Sequence, residues 1–131
     1  MVIDSSALIA ILFDESDRLR IEQAIEADPV RLVSAMTKLE TSIVLLGRRG
    51  EALLSRLDRL LHRITAVIVP FDDHQADIAR DAFARFGRGR HRAGLNFGDC
   101  AAYALSIAEA EPLLFKGTDF DATDVPVVQL A

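Results

Sequence analysis

Five short, mostly apolar runs punctuate this chain, and helical spacing fills most of the sequence between them. The runs are residues 1–4, 30–34, 66–70, 113–115 and 125–128. Each is too short for a helix, and Val67-Ile68-Val69 is β-branched throughout and closed by Pro70. Between the runs, apolar residues recur every three or four positions. Leu19, Ile21, Ala24 and Ile25 do so over 16–27, and Leu39, Ile43 and Leu46 over 36–49, where Gly50 stops the pattern. Leu53, Leu54, Leu57, Leu60, Leu61 and Ile64 mark 51–64. A short helix is expected over 6–12, and further helices over 72–86 behind an Asp72 or Asp73 cap and after Asp99. Strands that alternate with helices pair in parallel and must be covered on both faces. The expectation is therefore an α/β fold of three layers, a central parallel sheet with helices on both faces.

The 131 residues suffice for one domain, 1–131, with a buried core. That core must be mostly Leu, Ile, Val and Ala, because half the residues are hydrophobic while only 6% are aromatic. No apolar stretch approaches the roughly 18 residues that span a bilayer. The basic flank and cleavage pattern of a signal peptide are lacking at the start, and the single cysteine, Cys100, cannot form an internal disulfide. A cytoplasmic protein with no membrane partner is expected. The formal charge of −5 argues against a nucleic-acid partner. Distribution outweighs the sum, however: Arg80, Arg85, Arg88, Arg90 and Arg92 fall within thirteen positions.

Four acids sit where a strand should end or a helix begin: Asp4, Glu40, Asp99 and Asp119. Each has an ordinary explanation. Asp4 could cap the next helix. Thr37-Lys38-Leu39-Glu40 matches a capping box. Asp99 could be a first-turn acid favoured by the helix dipole, and Asp119 a turn residue. Together they fall on one rim of a parallel sheet, the rim where open sheets bind ligands. Four carboxylates there repel one another unless cations lie between them. Mg2+ prefers oxygen ligands and keeps several waters, so it needs few carboxylates. Paired divalent ions act on phosphodiesters, and helix N-termini suit phosphate.

Other chemistries fit poorly. His62, His74 and His91 lack zinc spacing, and no second cysteine exists. No serine lies in a nucleophile elbow, and no P-loop is present. Gly87-Arg88-Gly89 opens a dinucleotide fingerprint that fails at Arg92, the third glycine position. The strip Arg85, Arg88, Arg90, His91 and Arg92 reads either as a solvated loop or as a phosphate contact beside the acidic rim. Arginine forks suit phosphate, and neutralised phosphates carry most non-specific nucleic-acid affinity.

The chain resembles the PIN-domain nucleases, and within them the VapC toxins of bacterial toxin–antitoxin pairs. The likeness spans essentially the whole chain and rests on four segments in order. They are Val2-Ile3-Asp4-Ser5-Ser6-Ala7, Ser34-Ala35-Met36-Thr37-Lys38-Leu39-Glu40, Leu95-Asn96-Phe97-Gly98-Asp99-Cys100-Ala101-Ala102-Tyr103-Ala104, and Pro112-Leu113-Leu114-Phe115-Lys116-Gly117-Thr118-Asp119-Phe120. The resemblance implies an acidic pocket binding Mg2+ or Mn2+ through Asp4, Glu40, Asp99 and Asp119, with Ser6 supporting Asp4. It also implies RNA as substrate, a homodimer, and inhibition by a small VapB-type antitoxin. Relatives often carry two adjacent acids where this chain has Thr118-Asp119, so Thr118 brings no charge to the second ion. Two alternatives stand beside this expectation. A haloacid-dehalogenase-like α/β phosphatase needs an acid where Ser6 lies. A non-catalytic PIN-like module would use the same surface to bind a partner protein only.

Overall fold

The computed structural model describes residues 1–131, the side chain of Arg49 excepted. In chain order the elements are β1 (Val2–Ile3), α1 (Ser5–Leu12), α2 (Arg18–Ala27), β2 (Leu32–Ser34), α3 (Ala35–Arg49), α4 (Ala52–Arg63), β3 (Val67–Val69), α5 (Asp73–Phe86), α6 (Phe97–Glu109) and β4 (Leu113–Leu114). All strand pairs are parallel, in the order β3-β2-β1-β4. The chain moves outward from β1 to β3, then crosses to the other side of β1 to form β4. Connections therefore reverse direction between β1 and β4, and open α/β sheets bind ligands beyond the strand ends at such a point.

Strand periodicity divides the core. Ile3 and Leu114 pack on one face with Leu8, Ile21, Ile25, Leu57 and Leu60, from α1, α2 and α4. Val2 and Leu113 point to the other face, against Ala82 of α5, Tyr103 and Leu105 of α6, and Phe120. The three-layer expectation holds. Among the described residues, no helix is long and apolar enough to cross a membrane.

Four local expectations change. The run 125–128 contributes one parallel bridge, Val127 to Leu113, and no further strand. Pro126 lacks an amide proton, so it cannot extend a ladder of donors. Helix α3 starts earlier than the Thr37 capping box requires. Ser34 is its N-cap, accepting from the Met36 amide at 3.2 Å, and Thr37 Oγ1 is buried without a partner. Helix α6 likewise starts at Phe97, behind an Asn96 cap. The largest departure is the orientation of α3: Leu39, Ile43 and Leu46 are 52%, 60% and 45% exposed, while Thr37, Thr41 and Leu45 are buried. Thr41 tolerates burial because its hydroxyl donates to the Thr37 carbonyl at 2.8 Å.

Candidate functional site

Strand β1 ends at Asp4, whose extended backbone (φ −78°, ψ 159°) makes it the N-cap of α1. Its Oδ2 accepts from the Ser6 amide at 3.1 Å and the Ser6 hydroxyl at 2.6 Å. Ser6 Oγ in turn accepts from the Lys116 amide at 2.9 Å, joining the exits of β1 and β4. Lys116 also pairs with Glu15. One oxygen of Asp4 is thus fully engaged. The other, Oδ1, is buried with no partner, although the residue is only 3% exposed. A carboxylate oxygen in that state carries a large desolvation cost unless something binds it.

Asp99 lies at the third position of α6, in a capping box with Asn96. The Asp99 amide donates to Asn96 Oδ1 at 2.8 Å, and Asp99 Oδ2 accepts from the Asn96 amide at 2.9 Å. It is 8% exposed. The capping explanation for Asp4 and Asp99 is correct as far as it goes, because each spends one oxygen on a helix start.

The two acids feel each other. Burial raises Asp4 to about 6, with the Glu40 charge adding to the shift against the lowering Ser6 hydrogen bonds. Burial raises Asp99 to about 7, helped by the charges of Asp4, Asp119 and Glu40 and opposed by the Asn96 bond. Asp99 is the hub of the group. Cys100 beside it is pushed up to about 11 by burial and by the Asp99 charge, as expected of an inert buried thiol.

Glu40 arrives from α3, in the second turn of that helix. A β-carbon added at Gly98 would fall 1.6 Å from Glu40 Oε2, so the carboxylate occupies the space that glycine leaves open on α6. Asp119 and Thr118 lie exposed in the turn after β4. Asp119 is close enough to shift Asp99, but it has no hydrogen bond to the other acids.

Among the described residues, no three His, Cys, Asp or Glu side chains form a ready-made metal cage. The donors still suit a hard divalent ion. Mg2+ binds through one or two carboxylates and retains water, and Asp4 Oδ1 is an unpaired buried oxygen electrostatically coupled to Asp99.

The arginines divide. Arg85 is committed to Asp124 at 2.6 Å and Asp81 at 3.2 Å, and lies over the Phe86 ring. Asp124 also accepts from the Tyr103 hydroxyl at 2.7 Å, so Arg85 fastens the C-terminal loop to α5 and α6. Arg88, Arg90 and Arg92 are exposed. Their loop is closed at its base, where the Arg88 amide donates to the Leu95 carbonyl and the Leu95 amide to that of Phe86. Gly89 and Gly94 supply its left-handed turns. Sequence reasoning overlooked Phe97. It is 76% exposed beside Asp99, and a phenylalanine one position before Gly98-Asp99 was the available signal.

The PIN domain family model matches residues 1–126. Ribonuclease VapC of Mycolicibacterium smegmatis is 53% identical over 128 residues, covering 98% of this chain and 99% of that protein. Ribonuclease VapC30 of Mycobacterium tuberculosis is 51% identical over 130 residues, with 99% of each chain covered. Among solved structures, the sarcin-ricin loop cleaving toxin VapC20 of Mycobacterium tuberculosis superposes with a TM-score of 0.79 at 15% identity, covering 98% of both chains. VapBC2 of Rickettsia felis, bound to a DNA fragment from its promoter, gives 0.75 at 14% identity, with 98% and 96% covered. The structural neighbours speak for the fold alone; the family model and the full-length relatives, which share half the residues, place this chain in the PIN-domain family, within its VapC group.

Proposed function

We propose that this chain is a Mg2+- or Mn2+-dependent ribonuclease acting as the toxin of a VapBC-type pair, with RNA as substrate and a VapB-type antitoxin as its inhibitory partner. The observation that carries the reading is the unpaired, buried Asp4 Oδ1 beside an equally reluctant Asp99, at the switch point of the sheet. Two buried acids held above their ordinary range are costly in a structural role and useful in a cation site. The names of the full-length relatives, ribonucleases all, support the same activity.

In this reading Asp4 and Asp99 hold the principal ion, while Glu40 and Asp119 complete the site directly or through water. When bound, the ion supplies Lewis-acid activation of water and neutralises charge on the phosphate and the leaving oxygen. The chain's own residues prepare the geometry. Ser6 fixes Asp4 Oδ2, which leaves Oδ1 directed to the ion. Asn96 fixes Asp99 in the same way. The N-terminus of α6 adds positive potential for a phosphate. Arg88, Arg90 and Arg92 hold the RNA backbone, and Thr118 orients water or the neighbouring Asp119. Arg85 acts indirectly, by fastening the loop.

The test is cleavage of a mixed RNA substrate by the purified chain with Mg2+, with Mn2+ and with a chelator. Cleavage should require the ion, and Asp4→Asn and Asp99→Asn should each lower it by at least about a hundredfold with the fold retained. Undiminished cleavage by either variant would overturn the assignment.

A further inference from the structure

Among the described residues, three buried side-chain atoms have no hydrogen-bond partner: Asp4 Oδ1, Thr37 Oγ1 and Gln75 Oε1. Native interiors pair most such atoms, so each orphan needs a reason. Asp4 has one in the ion site. Gln75 lies two strands away from it, beyond β3, where its side chain donates to the Pro70 carbonyl at 3.0 Å. Thr37 lies at the neighbouring strand exit and is fully buried.

The sheet and the helices fix where that hydroxyl stands. Val2 pairs with Leu32 in parallel register, so Asp4 and Ser34 leave the sheet side by side. Each caps the helix that follows, Asp4 for α1 and Ser34 for α3. Thr37 is in the first turn of α3, level with the first turn of α1. Its stripe of Thr37, Thr41 and Leu45 repeats every four residues, and Leu45 packs in the cluster with Ala7, Leu8 and Ile11 of α1. The same stripe therefore turns Thr37 toward the start of α1, where Asp4 Oδ1 is buried. Glu40, three residues on, reaches instead into the space at Gly98 of α6.

Two unpaired polar atoms on neighbouring helix starts, a carboxylate oxygen and a hydroxyl, have a common explanation. They do not bond each other, and a group between them satisfies both. Mg2+ keeps several waters when a protein binds it, and hydrogen bonds one shell further out hold such a site in order. We propose that Thr37 is a positioning residue of the ion site, its hydroxyl holding a water that the ion retains beside Asp4 Oδ1. The inference rests on the metal-dependent reading and deepens it by adding a neutral group to the four acids. A threonine suits that task. Its hydroxyl both donates and accepts, its branched side chain has few rotamers, and it adds no charge among crowded carboxylates. A threonine with only a structural role on a buried helix face bonds back to the carbonyl one turn earlier, as Thr41 does to Thr37 at 2.8 Å. Thr37 has no such bond, and the residue four places before it, Val33, belongs to β2.

The test compares Thr37→Val with the wild-type chain in two measurements. Thermal melts in chelator read stability, and Mn2+ titration, followed by calorimetry and by the paramagnetic resonance of free Mn2+, reads ion affinity. Valine keeps the branched shape and removes the unpaired hydroxyl, so the melting temperature in chelator should hold or rise. Ion affinity should fall about tenfold or more, and Thr37→Ser should restore it. Thr41→Val, one turn along the same stripe, should leave the affinity unchanged. A Thr37→Val chain that binds Mn2+ as tightly as wild type would overturn the proposal while the nuclease reading stands. A wild-type chain that binds no Mn2+ would end both. If circular dichroism shows Thr37→Val unfolded, Thr37→Cys, of similar size and with only a weak donor, takes its place in the comparison.

Discussion

Gly98 separates structure from chemistry at a single position. An added methyl group would collide with the end of the flexible Glu40 side chain, which can swing away at little cost. Alanine is also the better helix former, by about 0.8–1 kcal/mol. Gly98→Ala should therefore leave the melting temperature unchanged or slightly raised while lowering RNA cleavage, because Glu40 loses its position beside Asp99. Thermal melts and cleavage rates on one preparation check this; full activity would remove Glu40 from the site. Ser6 gives the opposite pattern. Its hydroxyl donates to Asp4 and accepts from the Lys116 amide, so Ser6→Ala should cost about 1–3 kcal/mol in chemical denaturation. The same variant should weaken Mg2+ binding by calorimetry, since Asp4 loses its orienting partner. The sequence singled out Asp4, Glu40, Asp99 and Asp119 from their expected places at strand exits and helix starts; Asp4 and Asp99 do lie there, whereas Glu40 stands in the second turn of α3 and Asp119 in the exposed turn after β4. The division of labour within each carboxylate was not legible, because it depends on which oxygen faces a partner from a distant segment.

At the scale of elements, the loop between α5 and α6 is a closed turn presenting three exposed arginines. If Arg88, Arg90 and Arg92 grip single-stranded phosphates, replacing all three with alanine weakens RNA binding. It should also flatten the slope of log K against log salt by about 0.7 per lost contact. Fluorescence anisotropy between roughly 50 and 200 mM salt measures that slope; an unchanged value would free these residues from the substrate. Arg85→Ala should behave differently, loosening the loop held by Asp124 and Tyr103 without a comparable change in slope. Sequence placed all four arginines in one strip, but only the fold pairs Arg85 with Asp124, thirty-nine residues away. Helix α3 gives the same lesson in reverse. Its periodicity established a helix with an apolar stripe, yet periodicity does not say which side meets the sheet. The buried stripe contains two threonines, one of which satisfies its own hydroxyl, so polarity alone pointed the wrong way.

For the whole molecule, charge and stability are linked through the acidic site. Asp4 and Asp99 are held above the ordinary carboxylate value of 3.8, at about 6 and about 7. The folded state therefore binds more protons than the unfolded chain between about pH 4 and 7. Stability from these two groups is present below pH 4 and lost as pH rises through 6 to 7. Glu22, Asp28 and Asp124 are lowered, and their contribution changes only as pH falls below the ordinary carboxylate range. In a chelator, the melting temperature should decline from pH 5 to 7.5. Mg2+ should recover most of that decline, and Asp4→Asn should reduce it without metal. Melting curves across that range test the linkage, and a rise toward neutral pH in chelator would contradict it. By itself the sequence determined the alternation of strands and helices, the three layers and the acids at the rim. Those follow from periodicity, caps and short-range spacing. Only the tertiary structure decided that α3 turns its leucines to solvent, that one oxygen of Asp4 stays unpaired, and that Arg85 serves the fold. Each of those depends on contacts between segments far apart in the chain, and local pattern carries no record of which faces meet.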